Sequence, residues 1–376
     1  VTSARLTIAT LLPIVSLVAL LAPVSGWLWP AFNWDMLAYI GIAEDWLLPD
    51  RQVAHAATYA DAARFARAHG LDAAYALLAH ATPYRHTLAT DPEAFGEVLR
   101  FYRLRPIYEA LVVALGWLGG SFAAATIATS CLAVLAANLA VLRFALGRAG
   151  PRLGNALFAG FALSPPIMTV AGYSTADALG TAFVTGGAIA WLAGRPNLGA
   201  AILLASVAVR SDFALTNLIV AGALLAARLA GIWRVPAFSL VLLVLSYPLA
   251  RVIEAVGGAY PFIVLYYNTF VAFLLHPANP GPIVVPPRRF VTALYWGVVK
   301  GLASGAYSWP LIPALFLAQR ARLSPPAIFA SAFLLALAVR IIIFPEPDIR
   351  LVAPIFAVVY VALIAEQGRK DGLSGS

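Results

Sequence analysis

Charges are scarce in this chain, and those that interrupt its apolar runs fall in groups. Asp35, Glu44 and Asp45 follow the first run, and Arg103 and Arg105 precede a short one at Ile107. Arg210 and Asp212 occupy a three-residue break between two more. Arg340, Glu346, Asp348 and Arg350 surround the last break. A carboxylate in a water-poor site can take the proton of a hydroxyl as a new bond forms. A guanidinium is permanently charged, and its fork matches phosphate oxygens, so it can stabilise a phosphate that departs. Asp35 as base, with Arg210 and Arg350 as clamps, would meet both needs of a transfer from a phosphate ester to a hydroxyl.

The same residues also admit plainer roles. Asp35 could cap a helix, Arg350 could pair with Asp348 or anchor in lipid headgroups, and Arg210 could pair with Asp212. Arg105 could be a headgroup anchor. Asp177, just after Gly172-Tyr173-Ser174, reads as a helix cap rather than a second catalytic acid. His55, His69, His80 and His86 lack the spacing of a metal site. No metal ligand set is indicated, and no cofactor is required by the sequence, although it does not forbid a divalent metal.

The elements that must position these groups follow from composition. Hydrophobic residues make up 62% of the 376 and charged ones 11%, against roughly 25% charged in an average soluble domain. The apolar runs are long, without period-2 alternation, and each helical span needs about 20 apolar residues. Lipid cannot satisfy free backbone groups, so the runs must be helices. The expected fold is an all-α integral membrane protein of about ten transmembrane helices, one domain over 1–376. A large helical extracytoplasmic loop follows the first helix. The expected spans are 6–29, 122–142, 153–171, 175–192, 198–209, 213–229, 236–256, one ending near 319, 325–344 and 351–365. The segment 31–105 is charged and mixed in sign. It reads as a folded subdomain with helices lying along the membrane at 59–79 and 92–103. The segment 257–289, rich in Pro, Gly and aromatics, reads as a loop with partial helix.

The net charge of +8 does not point to nucleic acid, because the arginines are scattered at span ends. Arg143, Arg148, Arg152, Arg195, Arg228, Arg234, Arg320, Arg322, Arg369 and Lys370 share one side if spans alternate, which makes that side cytoplasmic. Both termini then lie inside, Asp35, Arg105, Arg210 and Arg350 share the outside, and the expected membrane is the bacterial inner (cytoplasmic) one. The bulky end of the first run (Trp27, Trp29, Pro30) reads as a retained span. Cys131 is the only cysteine, so a disulfide within the chain is excluded.

Four short stretches resemble the GT-C superfamily of integral-membrane glycosyltransferases. Asn33-Trp34-Asp35-Met36-Leu37-Ala38-Tyr39 is similar to an Asp-then-Tyr pattern after the first span. Arg103-Leu104-Arg105-Pro106-Ile107-Tyr108 resembles the motif that ends the large loop. Val209-Arg210-Ser211-Asp212 resembles a basic–acidic turn, and Asp348-Ile349-Arg350-Leu351-Val352-Ala353-Pro354 a late Arg–aliphatic–Pro motif. The resemblance implies an inverting transferase that takes sugar from a polyprenyl-phosphate donor to a hydroxyl of a lipid, glycan or protein, at the extracytoplasmic face. It implies Asp35 as the catalytic residue. Arg210, Arg350, Arg105, Arg103, Tyr39 and Asp212 would contact substrate, with Glu44 and Asp45 as candidates for a second acid.

A lipid or glycolipid flippase or transporter is the competing reading, and a non-catalytic assembly subunit a third. A transporter more often shows internal repeats and midplane charges, and neither is evident here. The geometric test is whether Asp35, Arg210 and Arg350 meet at one cavity.

Overall fold

The computed structural model describes residues 2–320 and 323–370, and they form helices joined by turns. The first apolar run is two helices, α1 (Thr2–Leu21) and α2 (Val24–Leu28), parted at Ala22-Pro23. Five helices then build the polar segment: α3 (Trp34–Leu47), α4 (Arg51–Ala68), α5 (Asp72–His80), α6 (Pro83–Thr90) and α7 (Pro92–Leu99). Their starts are written in the sequence. Asn33 accepts from Met36 N, Asp50 from Gln52 and Val53 N, Thr82 from Arg85 N, and Asp91 from Glu93 and Ala94 N. These side chains satisfy amide groups that a helix start leaves free. The single helix expected over 59–79 is instead parts of two. Gly70 adopts φ +67 and ends α4, a conformation open to glycine because it has no Cβ. The helix expected over 92–103 stops at Leu99, and Arg100–Leu104 form a turn.

Pro106 then opens α8 (Pro106–Gly119), and Ser121 caps α9 (Phe122–Ala162). The buried Asp61 of α4 accepts from Ala123 N at 2.9 Å, which ties the polar segment to the start of α9. α9 is not one straight rod. Gly150 has φ 70 and ψ 174 inside it, and a Cβ at Gly154 would stand 2.7 Å from Ala145 O. Residues nine apart in a straight helix are about 13 Å apart, so the chain doubles back at Gly150-Pro151. This reversal falls among Arg143, Arg148 and Arg152, where a loop is expected.

The remaining helices are α10 (Pro165–Gly172), α11 (Ala176–Leu192), α12 (Pro196–Val209), α13 (Phe213–Leu229), α14 (Ala237–Val244), α15 (Ser246–Gly257), α16 (Phe262–Phe270), α17 (Pro287–Ala303), α18 (Ser308–Arg320), α19 (Pro325–Ile343) and α20 (Ile349–Lys370). Length and apolarity together single out four stretches able to cross a bilayer: Phe122–Ala162, Ala237–Gly257, Pro325–Ile343 and Ile349–Arg369. The pair α17–α18, bent by 68°, makes a fifth if it counts as one span. These helices are compatible with an integral membrane protein. The count is below the ten expected, in part because α11, α12 and α13 are apolar but only 17, 14 and 17 residues long. That is short of the roughly 20 residues that 30 Å of hydrocarbon requires.

α20 runs through the centre. Its residues from Val352 to Ala365 are almost all buried. Phe356 stacks on Phe161 at 6.1 Å between centroids, and the Tyr360 hydroxyl donates to Leu157 O at 2.9 Å. A backbone bond from Ala31 N to Gly172 O at 2.9 Å fastens the entry of α3 beside the start of α11. The ion pairs of Arg350 with Asp35 and Asp177 join the tip of α20 to both.

Candidate functional site

Asp35 sits in the first turn of α3, where the helix dipole favours an anion. One turn further on, Tyr39 shares its face. Arg350 lies in the first turn of α20, and its Nη1 donates to Asp35 Oδ2. The same guanidinium binds Asp348 Oδ2 through Nε at 2.6 Å and lies 3.8 Å from Asp177 Oδ2. Asp177, buried at the start of α11, also pairs with Arg210. Arg210 in turn holds Asp212 by two parallel bonds of 2.9 Å. Arg340, near the end of α19, reaches Asp212 at 3.7 Å and donates to Leu351 O at 2.7 Å. One ionic network therefore joins residues from α3, α11, the α12–α13 turn, α19 and α20.

Arg105 stands apart from this pairing. Its guanidinium lies over the rings of Tyr39 and Tyr102, at 5.4 and 5.2 Å from the centroids, an attraction between cation and ring face. Its backbone N–H donates to Glu109 Oε1 at 3.3 Å. Among the described residues no carboxylate lies within ion-pair distance of it, and its Nη1 is buried without a hydrogen-bond partner.

These groups line one cavity of about 1220 Å³. Asp35, Tyr39, Tyr102, Arg105, Asp177, Arg210, Asp212, Arg340, Glu346 and Arg350 are at its polar side, and Tyr84, Phe101, Tyr260, Phe262, Leu265 and Phe273 at its apolar side. Pockets for drug-sized ligands run to about 1,000 Å³, so this one admits a larger molecule. Burial works against the charge on Asp35, but Arg350 and Arg105 outweigh it and hold the carboxyl below its ordinary value. Burial opposes ionisation of Asp212 as well, and Arg210 and Arg340 again prevail, keeping it ionised. Burial first, then the charge of Asp35, pushes the Tyr102 hydroxyl well above its ordinary range, so it stays protonated.

Of the residues singled out from sequence, Asp35, Tyr39, Arg105, Arg210, Asp212 and Arg350 meet here. Glu44, Asp45 and Arg103 do not line the cavity. Asp45 and Arg103 pair with each other. Glu44 lies within the field of Asp61 and Arg64, and burial first, then Asp61, raises its carboxyl. Sequence reasoning grouped Arg340 and Glu346 with these charges without giving them a role, read Asp177 as a cap, and left out Tyr102. The cap expected of Asp177 is supplied by Thr175, whose hydroxyl accepts from Asp177 N at 3.4 Å. A charge within an apolar run is by default a functional candidate, and that signal was available for both Asp177 and Arg340. Among the described residues no group of three or more His, Cys, Asp or Glu side chains is arranged to hold a metal ion.

No protein-family model matches the chain, and no curated protein or solved structure gives a match to it either. The cavity's own chemistry is therefore what bears on function.

Proposed function

We propose that this chain is an inverting glycosyltransferase of the membrane. It would move a sugar from a polyprenyl-phosphate donor to an acceptor hydroxyl at the extracytoplasmic face. The observation that carries this reading is convergence. Asp35, Arg105, Arg210 and Arg350, up to 315 residues apart, line a single cavity. A base beside a cluster of guanidiniums is the pair of tools that transfer from a phosphate ester requires. Counting α11, α12 and α13 as spans, with α8 not crossing, would raise the number of spans and set the cavity on the outer side, opposite the arginine-rich loops.

In this reading Asp35 receives the acceptor's proton. The acceptor oxygen attacks the anomeric carbon from the side opposite the phosphate, so the centre inverts and no covalent enzyme intermediate forms. Paired to Arg350, Asp35 is a weak base. A donor phosphate at Arg105 competes for Arg350, and as it draws that guanidinium away the carboxylate regains basicity.

The test is turnover and donor binding of Asp35→Asn, using a panel of synthetic polyprenyl-phosphate sugars in nanodiscs. Asn keeps size and polarity but cannot take the proton. Turnover should fall by about 10²-fold or more, with donor affinity largely kept. Near wild-type turnover would remove Asp35 as the base. Cysteine labelling at position 70 of intact cells tests the topology, and labelling only after permeabilisation would reverse it.

A further inference from the structure

Two histidines meet outside the ionic network and have no place in the reaction described above. His80 ends α5, and His86 is the fourth residue of α6. Six residues apart on one helix, they would point about 120° away from each other. The chain turns between them instead. Thr82 is extended, as the residue before a proline favours. Its hydroxyl accepts from Arg85 N at 3.2 Å and starts α6. The turn brings the two Nδ1 atoms to 3.4 Å. The ring centroids are 5.5 Å apart, farther than the nitrogens, so each Nδ1 is on the edge that faces the other ring.

That separation is long for a hydrogen bond, which usually spans about 2.7–3.2 Å. It matches a different geometry. Two bonds of about 2.0–2.1 Å to a tetrahedral zinc ion set their nitrogens about 3.4 Å apart. Both histidines are exposed, so an ion can reach them from solvent. The carbonyl end of α5 attracts cations, and Arg85 already reaches it, donating from Nη1 to Leu77 O at 3.1 Å. The pair is held without any ion. Leu78, Ala79 and Leu88 are buried beneath it, and the His55 ring bonds Leu88 O at 2.9 Å. Ligands fixed in advance lose little freedom on binding.

We infer that His80 and His86 form a two-point site for a divalent transition-metal ion of the zinc class, which staples α5 to α6. Imidazole nitrogens suit zinc, copper and nickel ions. Among the described residues no third His, Cys, Asp or Glu completes the set, so water fills the other positions. The inference does not depend on what the cavity binds. It does bear on the cavity's wall. Thr82, Tyr84 and Arg85 lie between the two histidines in the chain and line the cavity, and Tyr84 stacks on Phe273 at 5.0 Å. An ion joining the histidines stiffens that wall and takes no part in the transfer.

The experiment titrates zinc chloride into the full chain, purified in detergent without a histidine tag, with a chromophoric chelator as competitor. Wild type should bind one zinc ion with Kd on the order of 10 µM. Magnesium, which takes oxygen ligands, should not displace it. His80→Gln and His86→Gln should each weaken binding by about tenfold or more. Both side chains are exposed, so neither change threatens folding. His276→Gln, which breaks the pair with Glu97, should leave binding unchanged. Saturating zinc should slow amide exchange in residues 80–87. Wild type that binds no zinc overturns the inference. So does binding that survives when both His80 and His86 are Gln, or that is lost in His276→Gln. Zinc held by both histidines with exchange unchanged overturns the staple.

Discussion

The helix α3 carries an ion pair at each end, and the two pairs are matched in burial. At its start Asp35 meets Arg350, with side chains 19% and 21% exposed, and near its end Asp45 meets Arg103, at 26% and 29%. Exposure does not tell them apart, and neither does residue type. The surroundings do. Asp45–Arg103 closes on itself and braces the turn after α7, where Gly257 packs on the Arg103 carbonyl. Asp35–Arg350 is one link in a network that opens onto a cavity and leaves Arg105 and Glu346 uncommitted. A charge pair alone marks structure. A pair beside unspent charge, facing space, marks a site.

The sharpest way to break this comparison is to neutralise both acids. Asp35→Asn should cut turnover by about 10²-fold or more. Asp45→Asn should leave it within about threefold, since it touches no reacting group. Equal losses would erase the distinction. The arginines form the next pair. Arg105→Ala removes a charge-assisted contact worth about 1.5–3 kcal/mol, so donor Kd should rise roughly 10- to 100-fold. Arg103→Ala should leave Kd unchanged, as measured by titration in micelles.

A third variant asks how far the network is structural. Asp177→Asn leaves Arg210 and Arg350 without their shared buried partner and should cost about 3 kcal/mol of stability, read from thermal unfolding in detergent. Arg210→Met in the same background should recover part of that loss, because it removes the stranded cation. A smaller effect belongs to the other side of the comparison. Asp61→Asn weakens the cap on α9 and should cost about 1 kcal/mol with turnover preserved.

The smallest effect is in pH. Asp35 and Asp212 are both held below the ordinary carboxylate value of 3.8. Their stabilising contribution is therefore complete above that value and is lost as pH falls through the still lower folded values. Unfolding midpoints should hold flat down to about pH 4 and drop below it. In Asp35→Asn the acid drop should be shallower. Midpoints that stay flat below pH 4 would mean that these carboxyls are not held down.

The sequence made half of this site readable. Asp35, Arg105, Arg210 and Arg350 break apolar runs where a charge is costly, and that cost is visible without coordinates. Glu44 and Asp45 were grouped with Asp35 by nearness in the chain. A helix spends 1.5 Å per residue, so Asp45 lies about 15 Å from Asp35 along the axis. Arg103 was grouped with Arg105, but a turn separates their directions, and no periodicity governs a turn. Asp177 was hidden by a competing local explanation, since a polar residue at a helix start ordinarily caps it, and Thr175 already did so. The helix starts at Asp50, Asp91 and Ser121 follow from their capping side chains. The number of spans does not follow, because helices of 14 to 17 residues can cross a bilayer only as part of a larger assembly of helices.

Arg350 projects from the first turn of α20, whose length from Val352 to Ala365 is enclosed by neighbouring helices. Asp35 projects from α3, whose residues 36–43 are enclosed as fully, with the Tyr39 ring on that of Tyr108 in α8 at 4.6 Å. Both sides of the cavity are thus stiff, like the jaws of a vice. When a ligand parts Asp35 from Arg350, the side chains move and the two helices hold station. Amide exchange should record this as unchanged protection in residues 36–43 and in 352–365.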